Sequence, residues 1–316
     1  MPSNAPDVNA IAELAARIFS RSVRPQVQRV EEGVSTYVYR IRRADEVCYL
    51  RVLPEADASF APEVYAHQRL RERGVNVPEV LYFEHCNQAL GRSVMVTTEI
   101  KGASLARCND AQAQRHILRA AGRDLAVINS LPVRGFGWIK RSRSKVTRLE
   151  AEHSTSRAFL TEYLERDLAA LAEAHVLKQD TLATIQRILK DYDTWLASQH
   201  SWLAHGDFDV THMYQEAGHY TGIIDFGEIR GADFFYDLGH FSMHDGETLP
   251  ILVLPWLLEG YQEIAPLPDG YRQHIAFASL LIAIRTLARA GQKRPQTLPT
   301  HHGLQAIPRD IRLLLG

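Results

Sequence analysis

The hydrophobic pattern of this chain changes near residue 100, and the change limits the folds open to it. Residues 26–53 alternate apolar and polar side chains, as twisted antiparallel strands do. After residue 100 the longer segments repeat their apolar residues at helical spacing. These segments are residues 111–130, 156–173 and 181–199. A strand-rich beginning followed by a helical remainder predicts an α+β protein with two lobes and a ligand cleft between them.

We therefore expect a small β-rich lobe over residues 1–100 and a larger, mainly helical lobe over residues 101–316. The smaller lobe is expected to contain a helix over residues 61–73, because a proline stands in its first turn and a glycine follows its end. The helices of the larger lobe are interrupted only by short strand-prone pieces. These pieces are residues 202–204, 212–215 and 220–226.

Composition and charge exclude several classes of protein. Of the 316 residues, 46% are hydrophobic and 23% are charged, which is the balance of a folded soluble protein. The formal net charge of -1 gives no overall attraction to nucleic acid or to an anionic membrane surface. The first ten residues lack the basic and apolar regions of a signal peptide, and Cys48, Cys86 and Cys108 are widely spaced. We expect a cytoplasmic monomer or weak homodimer without nucleic-acid or membrane partners.

The segment with the most chemical information is HGDFDVTH at residues 205–212, followed by the run GIIDFG at residues 222–227. The first places Asp207 in a loop, and the second brings Asp225 to a glycine-containing turn at the end of an apolar run. Phosphoryl-transfer sites place a base beside a metal ligand in this manner. Because aspartate and glycine are common in turns, a chance combination of turn residues is the alternative interpretation.

These two segments resemble the catalytic and metal-binding segments of the aminoglycoside phosphotransferase and choline-kinase-like family. The resemblance implies a protein-kinase-like fold that uses ATP or GTP with Mg²⁺. It makes Asp207 the catalytic base and Asp225 the main magnesium ligand, and it puts His212 where the family usually has a metal-binding asparagine. An imidazole suits magnesium less well than an amide oxygen does, so Mn²⁺ is an alternative cation. Asp209 also departs from the family, because many relatives have histidine at its position.

The same resemblance extends to the predicted smaller lobe. Arg51 ends a strand where the family places a phosphate-binding lysine or arginine, and Glu63 begins the next helix where its ion-pair partner stands. An exposed surface ion pair is the alternative for these two residues. Further expected nucleotide contacts lie in a loop between two strands, where a simple hairpin is the alternative, and in the linker between the lobes. They are Gly33, Ser35 and Thr36 in the loop and Thr98, Glu99 and Ile100 in the linker.

Several other charged residues receive weaker interpretations. Asp237 matches a family aspartate that hydrogen-bonds the backbone of the catalytic loop. Glu228 and Asp233 either face the acceptor pocket or solvent, and exposure is the default expectation for such charges. The basic run over residues 140–148 is interpreted as a solvated loop, because no aromatic residues of a nucleic-acid site accompany it.

The resemblance implies transfer of the γ-phosphate of ATP to a hydroxyl of a small molecule. An antibiotic such as an aminoglycoside or a macrolide is the first choice, since acidic residues near the catalytic loop would complement a cationic acceptor. These residues are Asp209, Glu228, Asp233, Asp245 and Glu247. The alternatives are a kinase of a metabolite such as choline, a sugar or an amino alcohol, and an inactive nucleotide-binding protein suggested by His212. Protein kinase activity is disfavoured, because residues 227–237 leave no room for a long activation loop.

Overall fold

The computed structural model describes residues 5–19, 25–31, 36–44, 46–293 and 299–316. The N-terminal region is an antiparallel sheet in the order β1-β2-β3-β5-β4, accompanied by two helices. Its strands are β1 (Gln26–Val30), β2 (Tyr37–Arg43), β3 (Glu46–Val52), β4 (Val80–Asn87) and β5 (Arg92–Thr98), and its helices are α1 (Val8–Phe19) and α2 (Ala61–Glu72).

Alternation of apolar residues explains how this sheet acquires its core. Tyr39 and Ile41 of β2 and Leu50 of β3 are fully buried on one face, where Ile11 of α1 packs against them. Residues two positions apart point to the same face of a strand, so each strand supplies an apolar row to this core. The structure therefore confirms the β-rich beginning that the sequence pattern predicts.

The remainder of the chain is mainly helical. Its helices are α3 (Ala111–Ile128), α4 (Ser156–Thr161), α5 (Leu164–Glu173), α6 (Gln179–Asp191), α7 (Asp193–Ala197), α8 (Phe235–His244), α9 (Leu254–Ile264), α10 (Tyr271–Lys293) and α11 (Pro299–Leu315). Its strands are β6 (Ala103–Ser104), β7 (Val133–Arg134), β8 (Phe136–Ile139), β9 (Leu149–His153), β10 (Trp202–Ala204), β11 (Met213–Glu216), β12 (His219–Ile223) and β13 (Arg230–Ala232). Helix α10 contacts α5, α8 and α11 and lies at the centre of the helical region. None of the helices described has the length and apolar character needed to cross a membrane.

The structure corrects the sequence prediction in three places. Residues 133–153 contain β7, β8 and β9, which join β10 and β13 in a five-stranded sheet that the sequence did not predict. Gly135 and Gly137 have φ angles of 88° and 89°, a backbone conformation that favours glycine. Because glycines occupy these positions, the sequence shows no alternating strand pattern there. The helix predicted over residues 181–199 is also interrupted, at Tyr192, whose ring stacks on Phe277 at 4.1 Å.

The helix predicted over residues 156–173 is likewise two helices, α4 and α5, separated at Glu162 and Tyr163. The break reorients the chain so that Leu164, Leu168 and Leu171 of α5 are buried against α10. Burial of this apolar face outweighs the continuous helical spacing of the sequence.

Candidate active site

The loop that carries Asp207 follows β10, and helix α8 fixes its backbone. The buried carboxylate of Asp237 accepts hydrogen bonds from the backbone N–H of His205 and of Gly206, both at 2.8 Å. It also accepts a hydrogen bond from Nδ2 of Asn129 at 2.9 Å. A Cβ atom at Gly206 would lie 2.0 Å from the carbonyl oxygen of Glu228, so only glycine fits there. This arrangement leaves the Asp207 side chain 40% exposed at the loop surface.

Asp225 follows β12 in the left-handed backbone region, with φ 66° and ψ 66°. Aspartate tolerates this conformation better than most residues, and its Oδ1 accepts the N–H of Gly227 at 3.3 Å. Burial works against the charged carboxylate, but the Arg51 guanidinium and the His212 ring outweigh it and lower the pKa of Asp225. Asp225 is therefore held as a carboxylate.

The His212 ring lies between the two aspartates. Its Nδ1 is 2.8 Å from the backbone carbonyl oxygen of Asp207, which can only accept a hydrogen bond, so Nδ1 carries a proton. Its Nε2 lies 3.9 Å from Oδ2 of Asp225. Burial disfavours the charged ring, but the carboxylates of Asp209, Asp207 and Asp225 outweigh it and raise the pKa of His212.

The polar atoms of this cluster suit a divalent cation. Ligand atoms of Asp207, Asp209 and His212 lie within 4.8 Å of one another, and Asp225 adjoins the His212 ring. Carboxylate oxygens are the ligands that Mg²⁺ and Mn²⁺ prefer, and imidazole nitrogen is more acceptable to Mn²⁺ than to Mg²⁺. Asp209 is thus a further candidate ligand beside the predicted pair of Asp225 and His212.

Arg51 of β3 and Glu63 of α2 form a buried ion pair. Nη1 of Arg51 is 2.6 Å from Oε2 of Glu63, and the side chains are 11% and 0% exposed. The alternative of an exposed surface pair is therefore wrong. Nη2 of Arg51 is 3.8 Å from Oδ1 of Asp225 and donates to Oγ1 of Thr36 at 3.5 Å. Arg51 thus lies between the N-terminal sheet and the Asp225 turn.

Of the other predicted nucleotide contacts, Thr98, Glu99 and Ile100 lie at the end of β5 and directly after it. Gly33 and Ser35 lie outside the described residues. Thr98 accepts a hydrogen bond from the backbone of Glu79 at 2.9 Å, and the carboxylate of Glu99 lies 3.4 Å from Arg40 and from Tyr49. Ile100 follows directly where the sheet passes into the helical region. The side chains of Thr98 and Glu99 are thus engaged within the protein, and contact of this linker with a nucleotide stays a prediction.

A cleft of about 750 Å³ opens beside the two aspartates. Asp207, Asp225 and His212 line one end of it, while α4, α5 and α10 line the other. Besides Asp207 and Asp225, its charged lining residues comprise three carboxylates and three arginines. They are Glu162, Asp167, Glu228, Arg230, Arg285 and Arg289.

Comparison with known proteins identifies the family. A family model described as "Phosphotransferase enzyme family" matches residues 26–274. The chain belongs to this phosphotransferase family. A search among curated proteins finds no significant match.

Solved structures show that this phosphotransferase has a protein-kinase-like fold. An aminoglycoside phosphotransferase solved with AMP-PNP and hygromycin B has a TM-score of 0.67 and 16% identity, over 97% of this chain and 99% of that chain. A candidate fructosamine-3-kinase from Thermobifida fusca has a TM-score of 0.64 and 17% identity, over 97% of this chain and 100% of that chain. A wild-type aminoglycoside 2'-phosphotransferase in complex with GDP has a TM-score of 0.65 and 15% identity, over 97% of this chain and 99% of that chain.

Two residues at the phosphotransferase site were not assigned a role from the sequence. Arg141 was included in the solvated basic run, but its Nη1 is 2.5 Å from Oε1 of Glu63 and its Nη2 donates to the carbonyl oxygen of Gly227 at 2.8 Å. His240 of α8 is buried, and its Nε2 lies 3.4 Å from Oδ1 of Asp207. The sequence gives no sign of the Arg141 contact, because Arg141 lies 78 residues from Glu63. The contact of His240 likewise belongs to no local motif.

The acidic residues expected near a cationic acceptor do not meet in the phosphotransferase cleft. Asp233 was expected to be exposed, yet it is buried and accepts the N–H of Phe235 at 2.9 Å. Asp245 accepts the N–H groups of Val253 and Leu254 at the start of α9. These two carboxylates satisfy backbone donors of the helical region. Glu228 does line the cleft, but Nη2 of Arg230 lies 3.2 Å from it.

The remaining members of that acidic set also point elsewhere. Glu247 pairs with His244, and Asp209 accepts both the N–H and the hydroxyl of Thr211. Both residues also line a smaller cavity near α8 and α9, although Asp209 keeps its place beside His212, with Oδ1 3.6 Å from Nδ1 of that ring. The five predicted acidic residues therefore do not form one acidic surface that could bind a polycation.

Proposed function

We propose that the protein transfers the γ-phosphate of ATP to a hydroxyl of a small molecule. The observation that carries the proposal is the meeting of Asp207, His212, Asp225 and Arg51 at one end of a cleft. Contacts of 3.8 Å and 3.9 Å join Asp225 to Arg51 and to His212. Phosphoryl transfer requires such an arrangement of a base, metal ligands and a phosphate-binding cation.

Each residue receives a role from its position. The Asp207 carboxylate faces the cleft and would accept the proton of the attacking hydroxyl. Arg51 would bind the nucleotide phosphates, with Glu63 fixing its orientation. Asp225 and His212 would hold a divalent cation, which neutralises charge on the phosphate oxygens when bound. The AMP-PNP complex among the similar structures supports ATP as the donor, and the GDP complex keeps GTP as the alternative.

The acceptor end of the cleft supports an antibiotic of the macrolide kind more than an aminoglycoside. The guanidinium of Arg285 pairs with the buried Asp167 at 2.8 Å, and that of Arg230 pairs with Glu228. Arg289 adds a further positive charge, and Phe159 and other apolar residues complete the lining. A polycation would meet arginines there, whereas a large acceptor with few charges would meet apolar surface.

A metabolite kinase is the second candidate. The likeness to a candidate fructosamine-3-kinase favours a sugar or amino-alcohol acceptor as much as the likeness to aminoglycoside enzymes favours an antibiotic. The acceptor classes are best separated by measuring thermal shifts and ATP turnover with macrolides, aminoglycosides, sugars and amino alcohols. A ligand that binds the native state raises Tm by mass action.

The test of the proposed chemistry uses Asp207→Ala and Asp225→Ala with whichever acceptor the screen identifies. Both carboxylates are partly exposed at the cleft, so each variant should remain folded and keep its Tm within a few degrees. Turnover should fall by roughly 10²–10⁴ for Asp207→Ala, as expected for loss of a catalytic base. Near-normal turnover in either folded variant would remove that residue from the proposed mechanism.

A further inference from the structure

Arg141 completes a closed ring of contacts around the phosphate-binding end of the site. One nitrogen of its guanidinium lies 2.5 Å from Oε1 of Glu63, and another donates to the carbonyl oxygen of Gly227 at 2.8 Å. Gly227 donates its N–H to Asp225, Asp225 adjoins Arg51, and Arg51 pairs with the other oxygen of Glu63. The ring therefore links β3, α2, the loop after β8 and the turn after β12.

The charges in this ring balance. Glu63 is fully buried, and each of its carboxylate oxygens faces a different arginine. A buried carboxylate is stable only when such partners compensate for lost hydration. Arg51 and Arg141 together match the negative charges of Glu63 and Asp225, so removal of one arginine leaves an excess of negative charge beside the other.

We propose that Arg141 is a positioning residue that sets Arg51 and Asp225 at the separation needed to bind a nucleotide phosphate and its cation. Arg141 comes from the helical region, whereas Arg51 and Glu63 come from the N-terminal region. Only a forked side chain can contact the Glu63 carboxylate and the Gly227 carbonyl at the same time. The inference rests on the proposed phosphotransfer function, because it concerns the binding of nucleotide at the same site.

The competing explanation is that Arg141 only stabilises the contact between the two regions. Its side chain is 21% exposed and lies within a run whose other basic members are exposed, so a purely structural role is a real alternative. The two explanations differ in what they predict for nucleotide affinity. A structural contact changes Tm alone, whereas a positioning residue changes affinity through Arg51.

The experiment measures the Kd of Mg·AMP-PNP and of Mg·GMP-PNP by calorimetry, together with Tm, for the full chain. The variants are Arg141→Ala, Arg141→Lys, Arg51→Ala and the double variant Arg51→Ala/Arg141→Ala. Arg143→Ala is the matched control, because Arg143 belongs to the same basic run but is 65% exposed and lies 3.5 Å from Glu150. The lysine variant keeps the charge and is available if the alanine variant does not fold.

We expect Arg141→Ala to weaken binding of the preferred nucleotide by about tenfold, which corresponds to an ordinary coupling between contacting residues. Arg141→Lys should be intermediate, Arg143→Ala should match the wild type, and the double variant should bind as Arg51→Ala does. An unchanged Kd in folded Arg141→Ala or Arg141→Lys, or additive losses in the double variant, would overturn the positioning role. Folded wild-type protein that binds neither nucleotide would instead refute the proposed function, and with it the basis for this role.

Discussion

The two nitrogens of the His212 ring face different partners, and this asymmetry determines what the residue can do. Nδ1 donates to the carbonyl oxygen of Asp207, so Nε2 of the neutral ring presents its lone pair towards Asp225. A lone pair beside a carboxylate is a suitable position for a cation. If His212 holds the cation as proposed, histidine in place of the usual asparagine of the family would change the type of ligand without removing one.

His212→Asn should change the metal preference of the protein. Imidazole is a better ligand for Mn²⁺ than for Mg²⁺, whereas an amide oxygen suits both ions. We expect the native protein to bind Mn²⁺ several-fold more tightly relative to Mg²⁺ than the asparagine variant does. Competition of Mg²⁺ against Mn²⁺, followed by electron paramagnetic resonance, measures the ratio. Equal ratios would indicate that His212 only contacts the loop and would leave Asp225 as the firmer ligand.

At the scale of residues, the sequence predicted the groups that belong to short motifs. Asp207, His212 and Asp225 lie within two neighbouring segments, and the structure brings them together. Their individual roles remain predictions. Arg141 was missed because its two partners are far away in sequence, and the charge of an arginine does not reveal which carboxylate it will contact. Contacts of this kind depend on how the chain packs.

Two buried carboxylates lie in helix α8 and just before it. Asp237 binds the backbone of the catalytic loop, and Asp233 accepts the N–H of Phe235 at the beginning of the helix. Burial raises the pKa of Asp233 to about 6 from an ordinary value of 3.8. Below pH 3.8 the contribution of this group to stability is fully present, and it is lost as pH rises through about 6.

Asp233→Asn should therefore remove one component of the pH dependence of stability. Asparagine can still accept the N–H of Phe235 but has no charge to bury. Between about pH 4 and pH 7, the free energy of unfolding of the wild type should fall relative to that of the variant by roughly 2–3 kcal/mol. Urea unfolding across this range measures the difference, with Asp269→Asn at an exposed position as the control. A difference that does not vary with pH would show that Asp233 ionises normally.

Helices α3 and α9 approach each other closely enough for their backbones to touch. A Cβ at Gly122 would lie 2.1 Å from the carbonyl oxygen of Leu257, and one at Gly260 would lie 1.9 Å from that of Arg119. Because the nearest atoms belong to backbones and not to the ends of flexible side chains, such contacts require the helices to move apart. The outer edge of the same interface carries an exposed ion pair between Arg115 and Glu259 at 3.0 Å.

Gly122→Ala should destabilise the protein by about 3 kcal/mol, as overpacking of a buried contact commonly does. Arg115→Ala at the same interface should cost less than about 1 kcal/mol, because an exposed ion pair contributes little. Urea unfolding at neutral pH compares the two variants. Similar losses in both would mean that the ion pairs, rather than the close backbone approach, hold α3 against α9.

At the scale of elements, the N-terminal strands, helix α3 and the helical character of the second part were predictable, whereas the breaks at Glu162–Tyr163 and at Tyr192 were not. Residues 133–153 were not, because β7 has only two residues and β8 four, too few to establish an alternating pattern. Their pairing depends on glycines at positive φ and on partners far away in the chain, including β13. The sequence therefore predicted a helical second part and missed the sheet within it.

Under the proposed function, the distribution of charge over the whole cleft affects which acceptors can approach Asp207. Arg285 and Arg230 have carboxylate partners, whereas no ion pair to Arg289 occurs among the residues that the structure describes. Under the proposed function, a polycationic acceptor would be repelled locally by Arg289. An acceptor with few charges would not be affected.

Arg289→Glu should consequently favour cationic acceptors over uncharged ones. We expect KM for aminoglycosides to fall several-fold at low ionic strength, with little change for neutral macrolides, because long-range attraction between exposed charges is screened by salt. Steady-state kinetics at low and high salt, with Arg187→Glu on α6 as the control, test this expectation. Equal changes for both acceptor classes would mean that Arg289 does not sense acceptor charge.

Apart from Glu228 and Arg230, the residues described at the acceptor end of the cleft come from stretches of chain that do not include the proposed reacting groups. Helices α4, α5 and α10 supply this wall, while the loop over residues 205–212 is held by Asp237 and Asn129. Substitutions in the wall can accumulate without disturbing those hydrogen bonds. A lineage carrying this fold can therefore acquire new acceptors by drift and selection in three helices, while the inherited chemistry stays intact.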